Sequence, residues 1–166
     1  MPATPAFEDL YAEFMPRIYG YVLAHLRNVA EAEDVTSQVF IKAYNAYDRF
    51  EPRADTPSAW LFRIARNAVY DQHRRTGVRE RVERQVGALL EEVADPANLA
   101  EERSLGRDLW AAVGRLPERQ REAVALRIQS DLGFKEIGDL MGCSEDAAKM
   151  LYHRALRALR GEVSHE

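Results

Sequence analysis

Apolar side chains recur every three or four residues through almost the whole chain, and this recurrence constrains its fold more than any other feature. Phe7, Leu10, Tyr11, Phe14, Ile18, Val22 and Leu26 form one stripe, and Val35, Val39, Phe40, Ala43, Tyr44 and Tyr47 form a second. A third runs through Trp60, Leu61, Ile64, Ala65 and Ala68. Leu105, Leu109, Val113 and Leu116 follow, and Ala148, Leu151, Tyr152, Ala155 and Leu159 close the series. That spacing lines one face of an α-helix, whereas a half-buried strand would alternate. The 9 Gly and 7 Pro leave long stretches free of both, which favours helices over a β-sandwich. The predicted fold class is therefore all-α. Two small helical domains, 1–76 and 105–166, are joined by a flexible acidic linker, 77–104.

Local signals place the helix ends. Acids cluster in Asn28-Val29-Ala30-Glu31-Ala32-Glu33-Asp34, where they suit the positive end of a helix dipole. Two prolines break the pattern between Phe50 and Pro57. Thr56 before Pro57 reads as an N-cap followed by a first-turn proline. The helix begun there is expected to end near Gly77. Val82, Val86, Leu89, Leu90 and Val93 retain helical spacing, so a short helix is compatible with the linker until Asp95-Pro96 interrupts it. Further helices are expected from Pro117 to Ile128, from Phe134, and from Glu145 to about Arg160.

Composition excludes several classes. A chain of 166 residues that is 46% hydrophobic is too apolar to be disordered. One cysteine rules out an internal disulfide framework or a cysteine-based zinc cluster. No apolar run approaches the roughly 18 residues of a membrane span. Met1-Pro2-Ala3-Thr4-Pro5 has neither the basic region nor the apolar core of a secretory signal, so a cytoplasmic protein is expected. His25, His73, His153 and His165 are scattered, and no phosphate-cradling glycine loop or nucleophile motif occurs. No metal, no cofactor and no catalytic residue is expected. The net charge of -4 hides a separation of signs. Lys149, Arg154, Arg157 and Arg160 have no acid among them, Arg63, Arg66, Arg74 and Arg75 face only Asp71, and 85–102 holds acids alone. Two basic segments around an acidic strap suit two polyanion-binding surfaces, although charge runs are also ordinary solvated helix faces.

The most specific local signal is Phe134-Lys135-Glu136-Ile137-Gly138-Asp139-Leu140-Met141-Gly142-Cys143-Ser144. A short helix, a turn with glycine and a helix capped by Ser144 match a DNA-binding helix-turn-helix. Cys143 is read as packing in that turn, because no second Cys or His is near to activate it. The outward face of the last helix would carry Lys149, Met150, His153, Arg154 and Arg157, long enough to reach phosphates and guanine edges in a major groove. The plainer alternative is an amphipathic helix with its basic face in solvent.

These pieces, in this order, resemble an extracytoplasmic-function (ECF, group IV) sigma factor of bacterial RNA polymerase. Glu31 to Tyr44 resembles the core-polymerase-binding helix of sigma domain 2, and Trp60 to Asn67 with Arg74-Arg75 resembles the promoter-handling helix after it. Leu116-Pro117-Glu118-Arg119-Gln120-Arg121-Glu122-Ala123 resembles the opening of sigma domain 4, and Ile137 to Ser144 with His153-Arg154-Ala155 its helix-turn-helix. The resemblance implies core-polymerase contacts at Asp34, Gln38, Phe40 and Lys42. It implies contacts to the promoter element near the start site at Phe50, Arg63, Arg66, Asn67, Arg74 and Arg75, with Asn67 lining a pocket for an unstacked base. Lys135, Ser144, Lys149, Met150, His153, Arg154 and Arg157 would meet the upstream element. The implied partners are core RNA polymerase (the clamp of its largest subunits), promoter DNA and an anti-sigma factor. No membrane contact is expected, and the free chain is expected to be a monomer. Ser37-Gln38 stand where the family often has Gln-Glu, which removes one acidic contact to the clamp, and Ala147-Ala148-Lys149-Met150-Leu151 lack the family's usual hydroxyl and arginine, so the resemblance implies no particular promoter sequence. Two other readings are a two-domain helix-turn-helix regulator acting without polymerase and an adaptor that binds proteins only.

Overall fold

The computed structural model describes residues 4–52, 55–86 and 104–163. Helices α1 (Phe7–Leu26), α2 (Val29–Ala46) and α3 (Pro57–Val86) form the first unit, with one 3-10 turn at Tyr47–Arg49. Helices α4 (Ser104–Gly114), α5 (Glu118–Ser130), α6 (Phe134–Met141) and α7 (Glu145–Val163) form the second. No strand occurs among the described residues.

The helix starts follow from their capping residues. Asn28 is extended, and its side-chain oxygen accepts the Glu31 N–H at 2.9 Å. Thr56 accepts the Ala59 N–H at 3.1 Å, which leaves Pro57 in the first turn, where its missing N–H costs nothing. α1 ends on Arg27 in the left-handed region, its N–H closing onto the Leu23 carbonyl.

α3 corrects the expected end near Gly77 by continuing to Val86. One glycine costs a helix only about 1 kcal/mol relative to alanine, and Arg79, Glu80, Arg81, Glu83, Arg84 and Gln85 are good helix formers that outweigh it. The acidic remainder of the expected linker, 87–103, lies outside the described residues.

The stripes meet in one apolar cluster that spans both units. Ile18 and Val22 of α1, Val35 and Val39 of α2 and Leu61 and Phe62 of α3 are fully buried. Val124 and Leu126 of α5, Ile137 of α6 and Ala148 and Ala155 of α7 fill the second unit. Each large side chain buried this way contributes about 1.5–3 kcal/mol. Among the described residues, three members of the predicted stripes fall outside the cluster: Tyr11, Tyr44 and Leu109 are exposed. The two tyrosines sit on the rim between α1 and α2, where the helix surface has already turned away from the core. α5 packs across α1 and α3, and this packing holds the two units together.

Candidate nucleic-acid interface

Three surfaces carry the residues singled out by the sequence. The first is the helix-turn-helix. Gly142 takes φ 72°, which ends α6 without the steric penalty a side chain would meet. The Cys143 N–H donates to the Gly138 carbonyl at 2.9 Å, and Ser144 Oγ accepts the Ala147 N–H at 3.1 Å. Gly138 is buried at the crossing, where a Cβ would lie 2.7 Å from the Cys143 carbonyl oxygen. Cys143 is half-buried against the core, the packing role read from the sequence.

With Ala148, Ala155 and Leu159 turned inward, α7 presents Lys149, Met150, His153, Arg154 and Arg157 to solvent. Lys135 on α6 is exposed as well. The Arg127 guanidinium lies 4.7 Å from the Phe134 ring centroid and Nη1 donates to the Leu132 carbonyl at 2.7 Å, so this cation serves the loop into α6.

The second surface is α3. Arg63, Asn67, Arg74 and Arg75 are exposed. Arg63 is paired with Asp55, and Arg74 with Asp71. Arg66 is placed differently: it points to the second unit and pairs with Glu122 of α5, a carboxylate only 1% exposed. The Arg66 guanidinium also sits 4.6 Å from the Tyr70 ring centroid and donates to the Tyr70 hydroxyl at 3.1 Å. That hydroxyl donates to Glu122 Oε2 at 3.2 Å. Burial works against the Arg66 charge, but the hydrogen bond and charge of Glu122 outweigh it and raise its pKa. Burial and the Glu122 charge raise the Tyr70 pKa.

Phe50 is a correction to the expected binding set. Its ring is buried, stacked on Tyr47 at 5.8 Å and tilted against Trp60 at 4.9 Å, so it braces the loop before α3 instead of facing a ligand.

The third surface is α2. Asp34 and Lys42 are exposed and Gln38 is half-buried. Phe40 is buried edge-on to Tyr11 at 5.0 Å, so its ring is a core element and cannot contact a partner directly in this structure. Sequence reasoning missed what stands beside Lys42. Ile41 is 61% exposed and Tyr44 65% exposed, an apolar pair on the same outward face. Ile41 breaks the inward register of the second stripe, and that break was the available signal.

Next to the Arg66 cluster, His25 is buried with Nδ1 2.8 Å from the Tyr21 carbonyl oxygen, while Nε2 has no partner. Burial, assisted by Arg121, His73 and Arg66, lowers its pKa to about 4. Among the described residues, no cluster of three or more His, Cys, Asp or Glu is placed to hold a metal, and no helix is long and apolar enough to cross a membrane.

Comparison with known proteins matches two family models to the chain. The family model described as Sigma-70 region 2 matches residues 10–79, and Sigma-70, region 4 matches residues 106–159. The chain is 37% identical to the RNA polymerase sigma factor CarQ of Myxococcus xanthus, over 99% of this chain and 94% of that protein. It is 34% identical to the ECF RNA polymerase sigma factor BldN of Streptomyces coelicolor, over 93% of this chain but 59% of that longer protein. Among solved structures, the sigma factor RpoE in complex with the anti-sigma factor NepR from Bartonella quintana matches with a TM-score of 0.77 at 27% identity. The match covers 95% of this chain and 96% of that one.

Proposed function

We propose a division of labour from one premise: this chain belongs to the sigma-70 family of transcription initiation factors and, within it, to the ECF sigma factors. As such it binds core RNA polymerase and directs promoter recognition, melting and transcription initiation. Residues 1–76 act as sigma domain 2, 77–104 as the linker and 105–166 as sigma domain 4. The observation that carries the reading is the coincidence of a capped helix-turn-helix with a solvent-facing row of Lys149, Met150, His153, Arg154 and Arg157. Long cations on a recognition helix position it on phosphates and read guanine edges, and the methyl end of Met150 can meet a thymine methyl.

On α2, Asp34, Gln38 and Lys42 flank the exposed Ile41 and Tyr44, an apolar centre with a charged rim, which suits docking on the polymerase clamp. On α3, Arg63, Arg66, Arg74 and Arg75 hold the promoter-strand backbone, and Asn67 reads an unstacked base by edge hydrogen bonds. The factor itself makes and breaks no bond, works in the cytoplasm as a monomer without its own membrane contact, and is held in check by an anti-sigma protein. The whole-length match to a sigma factor solved with its anti-sigma partner supports that last assignment. In vitro transcription with core polymerase on a promoter library is the test. Transcripts that depend on the added chain are expected, and failure to co-elute with core enzyme in mild salt would refute the reading.

A further inference from the structure

The contact between the two helical units is built from matched groups. Arg17 Nε donates to the Gln129 carbonyl at 2.6 Å, and Ser58 Oγ donates to the Ser130 carbonyl at 2.7 Å. Both acceptors belong to the last turn of α5, whose carbonyls have no partner within the helix. Gly20 of α1 faces the Gln129 side chain, whose Nε2 would lie 2.5 Å from a Cβ there. Near the start of α5, Glu122 is withdrawn from water and answered by Arg66 and Tyr70. A carboxylate buried that deeply persists only when paired, so the closed arrangement depends on Arg66.

We propose that Glu122 is a self-inhibitory latch: its carboxylate occupies the place at Arg66 that a promoter-strand phosphate takes during initiation, so closure of the two units and the Arg66 contact to the strand exclude each other, and closure weakens strand binding by α3. The inference rests on the reading of α3 as the strand-binding helix. The latch is selective. Lys149, Arg154 and Arg157 on α7, and Asp34, Lys42 and Tyr44 on α2, stay exposed while Arg66 is engaged. The closed chain can therefore meet polymerase and duplex DNA, yet it withholds a cation from the opened strand until the units part. Random single-stranded contacts are thereby suppressed in the free factor.

The test uses the full chain with two independent openings, Glu122→Gln and Arg17→Ala, the second lying away from all three proposed interfaces. Small-angle scattering reads the separation of the units, and anisotropy of a fluorescein-labelled, mixed-sequence DNA single strand reads binding. A larger radius of gyration and roughly tenfold tighter strand binding are expected, the factor by which a minor open population reduces apparent affinity. Adding Arg66→Ala to Arg17→Ala should erase the gain. No expansion in a folded variant overturns the latch. Expansion without tighter binding, where Arg66→Ala still weakens the strand complex, overturns it while leaving the α3 reading intact. A gain that survives Arg66→Ala overturns the role assigned to Arg66 itself.

Discussion

Replacing Gly138 with alanine tests whether the geometry of the helix-turn-helix depends on one missing methyl. The new Cβ would stand 2.7 Å from the Cys143 carbonyl oxygen, 3.0 Å from the Ser144 carbonyl oxygen and 3.1 Å from the Ser144 carbonyl carbon. All three are backbone atoms, so no side chain can swing aside. Ordinary contact begins at 3.4 Å, and the turn must retreat by about 0.7 Å. That motion strains the bond from the Cys143 N–H to the Gly138 carbonyl and tilts the start of α7. Overpacking of this kind costs about 1–3 kcal/mol. Alanine regains up to about 1 kcal/mol of helix propensity, so a net loss of about 1–2 kcal/mol is expected. Gly77→Ala supplies the control, because nothing lies within 4 Å of its Cβ position and only the propensity gain remains. Urea unfolding followed by circular dichroism measures both. Equal stabilisation by the two substitutions would refute the packing argument.

Three further outcomes are expected. Asn28→Ala removes the cap on the Glu31 N–H and should cost about 1 kcal/mol, read from the same urea midpoints. His25 is neutral when folded, with a pKa of about 4 against the ordinary 6.5 of a histidine, so the unfolded chain binds the extra proton between those values. Its stabilising share is full above pH 6.5 and lost as pH falls toward 4, about 3 kcal/mol in all, and His25→Leu should flatten the stability profile in that window. Arg154→Ala should weaken promoter-duplex binding by roughly 1–3 kcal/mol if it grips a guanine edge bidentately, measured by titration at fixed salt.

Helix positions and caps were legible because they depend on neighbours in sequence. Thr56, Gly142 and Ser144 each act on a backbone group within a few residues. The fate of Arg66 was not legible. Its partner Glu122 is 56 residues away, and only the packing of α5 across α1 and α3 brings them together. Phe40 and Phe50 show a related limit. Aromatic rings serve cores and ligands equally well, and local pattern does not say which way a ring turns at the edge of a helix. Tyr11 and Tyr44 err in the opposite sense, since a stripe wide enough to cover a core also leaves its margins in solvent.

The contacts of Pro5 and Phe7 have a practical bearing. The Tyr47 hydroxyl donates to the Pro5 carbonyl, and the Phe7 ring lies edge-on to Tyr44 at 5.2 Å and to Tyr47 at 5.5 Å. An affinity tag or fluorescent fusion placed ahead of Pro5 would therefore emerge beside Tyr44. A bulky reporter there would shade the α2 face and make a competent factor look weak in capture assays.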